Sequence, residues 1–219
     1  MNIHAIIFDL DGVILESGNI KTQAFLELFA EYPQWHARIL EHHLENLGIS
    51  RYDKFEWIYR ELLRKPLSPA ERAHLGECFS QIVLAKILDC PFVPGALETL
   101  KTLADKCLLF IGSGTPQAEL DLILERRGLD RYFVNCWGAP ATKTAIVNLV
   151  LNEYALEPSH ILFVGDGSSD YDAASEMGIH FLARDTSEQH ALWVALGVQK
   201  IPDLKGFSQL VMPREFAAQ

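Results

Sequence analysis

Five short apolar runs, at residues 3–8, 107–111, 132–136, 161–164 and 179–183, constrain the fold of this chain more than any other feature. Each is short and continuous rather than alternating, the pattern of strands covered on both faces. Helical patterns lie between the later runs. Residues 116–127 carry Leu120, Ile123 and Leu124 at helical spacing, with Gly128 as a stop signal. Residues 142–154 place Ile146, Leu149 and Val150 on one face, and a shorter helix at 170–177 ends before Gly178. Strands alternating with helices predict an α/β fold with a doubly wound parallel sheet.

One stretch breaks the alternation. Residues 17–90 hold no convincing strand, but helical patterns at 22–30, 53–63 and 70–88, punctuated by Pro33, Gly48, Pro66 and Pro69. The expected organisation is a helical domain over 17–90, inserted into an α/β core built from 1–16 and 91–219. A chain of 219 residues is long enough for such a core plus a small second domain.

The net charge of −10 and the lack of a basic run argue against nucleic acid as the main partner, though a bound cation can reverse the field inside one pocket. No run approaches the ~18 apolar residues of a membrane span, and the N-terminal segment lacks a secretory pattern. Cys78, Cys90, Cys107 and Cys136 form no CxxC pair and read as buried reduced thiols. A cytoplasmic protein without a membrane partner is expected; the oligomeric state is not encoded legibly.

Open parallel sheets build their sites at the carboxyl ends of strands, and three polar clusters fall there: Asp9-Leu10-Asp11-Gly12, Gly112-Ser113-Gly114-Thr115, and Gly165 to Asp170. Lys143 begins the helix before the fourth run. Each cluster alone is ordinary turn or capping chemistry; their co-occurrence at strand ends is what points to a site. Asp9 to Gly12 does not make a calcium loop, because an apolar strand leads into it and the remaining acidic ligands are missing. A carboxylate can act as a nucleophile and form an aspartyl phosphate. Several carboxylates converging on one point call for a hard cation, and few protein ligands beside a phosphate suit Mg²⁺. Ser113, Lys143 and backbone N–H groups such as that of Gly114 would hold phosphoryl oxygens.

Together these residues resemble the four motifs of the haloacid dehalogenase-like superfamily. Asp9 and Asp11 match the first motif, Ser113 the second, Lys143 the third, and Asp166 with Asp170 the fourth; the helical insertion matches the cap of one subgroup, which holds phosphoglycolate phosphatases and β-phosphoglucomutases. The resemblance implies that Asp9 is the nucleophile and Asp11 the general acid–base. It implies that Asp9, the Asp11 backbone carbonyl, Asp166 and Asp170 bind Mg²⁺, and that Ser113 and Lys143 hold the phosphate. Aspartate at both positions of the first motif indicates phosphate chemistry; Thr144 stands where many relatives have proline.

The stretch from Gly48 to Asp53 resembles the specificity loop of the β-phosphoglucomutase subgroup, which makes Arg51 and Lys54 candidates for binding a distal anion on the substrate. Both also read as ordinary cap surface charges, and His42-His43 as a solvated helix face. Lys21 stands where the mutases have histidine, and the spacing from Ser17 to Lys21 is closer to the phosphatases. The leading expectation is therefore a Mg²⁺-dependent phosphatase of a small phosphorylated metabolite. A phosphosugar mutase and a non-catalytic phospholigand-binding protein are the alternatives.

Overall fold

Strand β1 (Ala5–Phe8) is buried at every residue, and its side chains divide by the two-residue period of a strand. Ile6 and Phe8 enter one apolar layer, Ala5 and Ile7 the other. This is the central position of a six-stranded sheet in the computed structural model, which describes residues 2–47 and 49–212. The remaining strands are β2 (Leu108–Pro116), β3 (Asn135–Ala139), β4 (Ile161–Gly165), β5 (His180–Arg184) and β6 (Lys200–Ile201). Their order is β3-β2-β1-β4-β5-β6, and every pairing is parallel. The chain therefore steps outward from β1 in both directions, so the carboxyl ends of β1, β2 and β4 lie side by side at the topological switch point.

Four strands start within two residues of the expected positions. The third is displaced: residues 130–132 form a 3-10 turn, and pairing begins at Asn135. The sixth strand was not legible, having only two residues and no apolar run. Strand β2 runs on to Pro116, so the Gly112–Thr115 cluster lies inside its far end rather than after it, where the register with β3 shifts.

Helices cover both faces. On the Ala5/Ile7 side lie α7 (Lys143–Glu153) and α8 (Ser168–Glu176); on the Ile6/Phe8 side lie α5 (Ala96–Leu103), α6 (Gln117–Arg127) and α10 (Phe207–Val211). Helix α9 (His190–Leu196) follows β5.

Between β1 and α5 the chain is helical, as expected. It forms α1 (Gly18–Leu28), α2 (His36–Glu45), α3 (Arg51–Trp57) and α4 (Pro69–Asp89). The helix expected over 53–63 is divided: α3 passes at Ile58 into a wider π turn that ends at Arg64 in a left-handed conformation. Phe25, Phe29, Phe55 and Phe79 bind these helices together, with ring centroids 4.8 Å apart for Phe25–Phe79 and 5.9 Å for Phe25–Phe55. Where the helical stretch leaves and rejoins the sheet, its two ends pair: Glu16 N–H donates to Pro91 O and Val93 N–H to Ile14 O, each at 3.0 Å. Side chains from the sheet side donate to the carbonyls ending α2, Ser169 to Leu47 and Gln189 to Leu44.

The expectation of four buried thiols is met only at Cys90; the other three are half-buried, and all four are free. Among the described residues no helix is long and apolar enough to cross a membrane.

Candidate active site

The strand ends assemble the acidic residues as expected. Asp9, one residue past β1, is buried; Leu10 N–H donates to its Oδ1 at 2.6 Å, and Lys143 Nζ lies 2.9 Å from its Oδ2. Carboxylate oxygens of Asp9, Asp166 and Asp170 all fall within 4.8 Å of one another. Two glycines make the approach possible. Gly12 turns with φ +73°, and a Cβ there would stand 1.9 Å from Asp166 Oδ2; a Cβ on Gly165 would meet the Asp170 carboxylate.

Lys143, at the start of α7, is the cation of this cluster. It donates to Gly112 O at 2.5 Å and forms an ion pair with Asp170 Oδ1 at 2.7 Å. Burial pushes the Lys143 ammonium down, but the charges of Asp170 and Asp9 outweigh it and raise its pKa. One lysine cannot offset three carboxylates. Burial raises the Asp9 pKa to about 7 against the pull of Lys143, with Asp170 and Asp11 adding to the rise. Asp166 is driven well above the carboxylate range by burial and then by Asp9, Asp170 and Asp11. Three converging carboxylates with a single lysine between them fit a hard divalent cation bound through oxygen.

Asp11 is held differently. Lys21 Nζ and Thr115 Oγ1 donate to its Oδ2, the latter at 3.0 Å, and Ser17 Oγ donates to Oδ1 at 2.6 Å. Burial favours the acid form, yet the Lys21 charge and these three donors outweigh it and lower the Asp11 pKa. Lys21 also donates to Thr115 Oγ1 at 2.9 Å, tying α1 to β2. Of these partners, Thr115 gave no signal beyond its place in the cluster.

Ser113 is buried and accepts the Thr115 N–H at 3.1 Å. Gly114 lines the same cleft as Asp9, Asp11 and Asp166.

The far wall of this cleft comes from the helical stretch: Lys21, Phe25, His43, Leu47, Ile49, Arg51, Lys54 and Phe79. Arg51 and Lys54 were expected at the cleft, and both are there, but not as exposed cap charges; they are 5% and 3% exposed. The guanidinium of Arg51 is not free. Its Nη1 and Nη2 donate to the two carboxylate oxygens of Glu119 on α6 at 3.0 and 2.7 Å, and Nη1 also donates to Ser80 on α4. The fork expected to await a substrate anion is occupied by the protein itself. Gly48, the first residue of the expected specificity loop, lies outside the described residues.

The expected solvated His42-His43 pair is corrected. His43 is buried because it shares the inward face of α2 with Ile39, four residues earlier. Its ring packs 4.9 Å from that of Phe25, while His42 stacks on Trp57. His43 Nε2 lies 3.0 Å from Thr22 Oγ1, and its Nδ1 lies 3.0 Å from Lys54 Nζ. Burial and the charges of Lys54 and Lys21 depress the His43 pKa to about 2, so the ring is neutral, with Nδ1 accepting from Lys54.

Comparison with known proteins places these residues in context. The family model for haloacid dehalogenase-like hydrolases matches residues 3–178. The chain is 28% identical over 192 residues to a phosphoglycolate phosphatase of Synechococcus elongatus, covering 81% of each chain. It is 25% identical over 182 residues to a phosphorylated carbohydrates phosphatase of Thermotoga maritima, covering 81% of this chain and 82% of that one. Among solved structures it resembles a β-phosphoglucomutase of Clostridium difficile, with a TM-score of 0.75 at 18% identity, covering 98% of this chain and 95% of that one.

Proposed function

This chain belongs to the haloacid dehalogenase-like hydrolase family and is a phosphatase of that family, and we propose that it hydrolyses a small phosphorylated metabolite through a phosphorylated Asp9, with Mg²⁺ held by the acidic cluster. The observation that carries this reading is the placement of Asp9: buried at the switch point of the sheet, 2.9 Å from Lys143 and clustered with Asp166 and Asp170. We read residues 1–16 and 91–219 as the catalytic core and 17–90 as a cap, supported by the paired chain segments at Glu16 and Pro91.

In this reading a carboxylate oxygen of Asp9 attacks phosphorus while the P–O bond to the metabolite breaks. Asp11 gives its proton to the departing oxygen. Asp11 then takes a proton from water as that water attacks the phosphoryl group on Asp9, releasing phosphate and restoring both carboxyls. The donors from Lys21, Ser17 and Thr115 favour the base form of Asp11 that the second step needs, so the proton it gives in the first step is one it takes up as the ester binds. Ser113, the Gly114 backbone and Lys143 steady the phosphoryl oxygens. Asp9, the Asp11 carbonyl, Asp166 and Asp170 are the residues that would hold Mg²⁺. When bound, the ion screens the repulsion between the anionic nucleophile and the anionic ester.

The test is phosphate release from a panel of phosphate esters, with Mg²⁺ and with excess chelator. Release that needs Mg²⁺ supports the reading. Isomerisation of β-glucose 1-phosphate faster than its hydrolysis would make the protein a mutase instead, and full activity in chelator would remove the metal.

A further inference from the structure

Among the described residues, one buried cation of the cleft is left without an acid. Three basic side chains of the helical stretch face the acidic strand ends, and two are spoken for: Lys21 by Asp11, and Arg51 by Glu119. Lys54 is 3% exposed, and among the described residues it makes no ion pair. Its hydrogen-bond partner is the neutral ring of His43, and the face of Phe25 lies 5.5 Å away. An ammonium buried this way is costly without an anion. His43 is itself fixed by Thr22, so Lys54 is braced from behind, toward the cavity shared with Asp9 and Asp11.

From this arrangement we infer that Lys54, braced by His43, is the receptor for a carboxylate on the leaving-group side of the substrate, which makes the substrate a short phosphorylated carboxylic acid. The inference rests on the phosphatase reading and narrows its substrate. Charge count selects the carboxylate. One ammonium beside a neutral imidazole balances a monoanion; a second phosphate would bring close to two negative charges to a wall whose other cations are already paired. The apolar rings of Phe25 and Phe79 on the same wall fit a short carbon chain better than a polyhydroxylated one. The burial that disfavours the charged lysine, lowering its pKa to about 7 together with the charge of Lys21, is relieved when the carboxylate arrives. Arg51 is left with a structural role, because its ion pair with Glu119 joins α3 to α6 across the cleft and holds the wall that presents Lys54.

The experiment compares three probes in saturating Mg²⁺ at pH 6.5, for wild type and Lys54→Met. They are 2-phosphoglycolate, 2-hydroxyethyl phosphate (the same length with a neutral tail) and fructose 1,6-bisphosphate. Wild type is expected to favour 2-phosphoglycolate over 2-hydroxyethyl phosphate at least tenfold in kcat/KM. Lys54→Met should erase that preference, mainly through a rise in KM for 2-phosphoglycolate, so that the ratio of the two kcat/KM values falls to about one. No preference in wild type, or equal losses on both probes in the variant, would overturn the inference while leaving the phosphatase reading intact. A wild-type preference for the bisphosphate that vanishes in the variant would overturn the carboxylate assignment. If wild type releases phosphate from other esters of the panel but from none of these three, the inference falls while the phosphatase reading stands.

Discussion

The two walls of the cleft carry opposite charge and are built in opposite ways. The sheet contributes Asp9, Asp11 and Asp166 to the lining, with Asp170 behind them and Lys143 as their cation. The helical stretch contributes Lys21, His43, Arg51 and Lys54, and among the described residues no acidic one. Each wall has an uncompensated charge, too many carboxylates on one side and a bare ammonium on the other. The first excess calls for a metal ion, the second for an anionic substrate. A phosphorylated acid bound with Mg²⁺ neutralises both at once. The walls should therefore fail differently: damage to the sheet side abolishes turnover on every ester, whereas damage to the helical side changes which ester is chosen.

The largest expected effect tests the sheet side. Asp9→Asn should fold normally and lose at least about 10³-fold in kcat, as an amide cannot replace a carboxylate nucleophile. Purified variant retaining a tenth of wild-type activity on any ester would remove Asp9 from the nucleophile's role. Next is the metal. Asp166→Asn should raise the Mg²⁺ concentration for half-maximal activity by at least about tenfold, equally for every substrate. A change in substrate preference without a change in Mg²⁺ demand would blur the two walls.

A smaller effect sharpens the helical side through pH. Lys54 must be protonated to pair with a carboxylate, and its pKa in the free protein is about 7. The ratio of kcat/KM for 2-phosphoglycolate over 2-hydroxyethyl phosphate should therefore be constant at low pH and fall as pH rises through 7. Taking the ratio cancels titration of the core groups common to both substrates. Four groups set this limb: Lys21 on α1 and burial favour the neutral amine, Asp11 and Asp166 oppose them, and His43 on α2 stays neutral throughout. A ratio that stays flat to pH 9 would mean that Lys54 does not meet the carboxylate.

The smallest expected effect on selectivity is that of Arg51→Ala. It leaves Glu119 without its partner, so thermal unfolding should show a loss of at most about 3 kcal/mol, toward the low end for breaking a buried pair because Glu119 remains 17% exposed. Activity should fall by the same factor on all probes. A selective loss on 2-phosphoglycolate would transfer the anion-binding role from Lys54 to Arg51.

The two walls also differ in how legible they are. Every acidic residue of the sheet side follows an apolar strand within a few positions, so strand plus polar cluster located Asp9, Asp11, Asp166 and Asp170 without any knowledge of the fold. Ser113 was singled out by the same logic, whereas Lys143, which begins the helix before β4, was singled out only by its resemblance to the third motif of the family. The helical side is assembled from α1, α2, α3 and α4, and its partners are far apart in sequence: Arg51 meets Glu119 across 68 residues, and Lys54 meets His43 across 11. No local pattern encodes those pairings. His43 reads as half of a polar histidine pair, although the Ile39 spacing carries the signal of an inward face. Arg51 lines the cleft, but the acid that occupies it lies in the first turn of α6 on the sheet side, which sequence spacing alone does not bring near. The third strand starts later than its apolar run predicts, because residues 132–134 precede the pairing and Tyr132 belongs to the turn that feeds the strand.

The most direct test of the central claim is to catch the phosphoryl group on the protein. Wild type mixed with Mg²⁺ and excess 2-phosphoglycolate, quenched in acid within milliseconds and digested, should give one phosphorylated peptide, with the modification on Asp9 and no adduct in Asp9→Asn. Steady turnover with no adduct at any quench time, or a phosphoryl group mapped to another residue, would contradict the account.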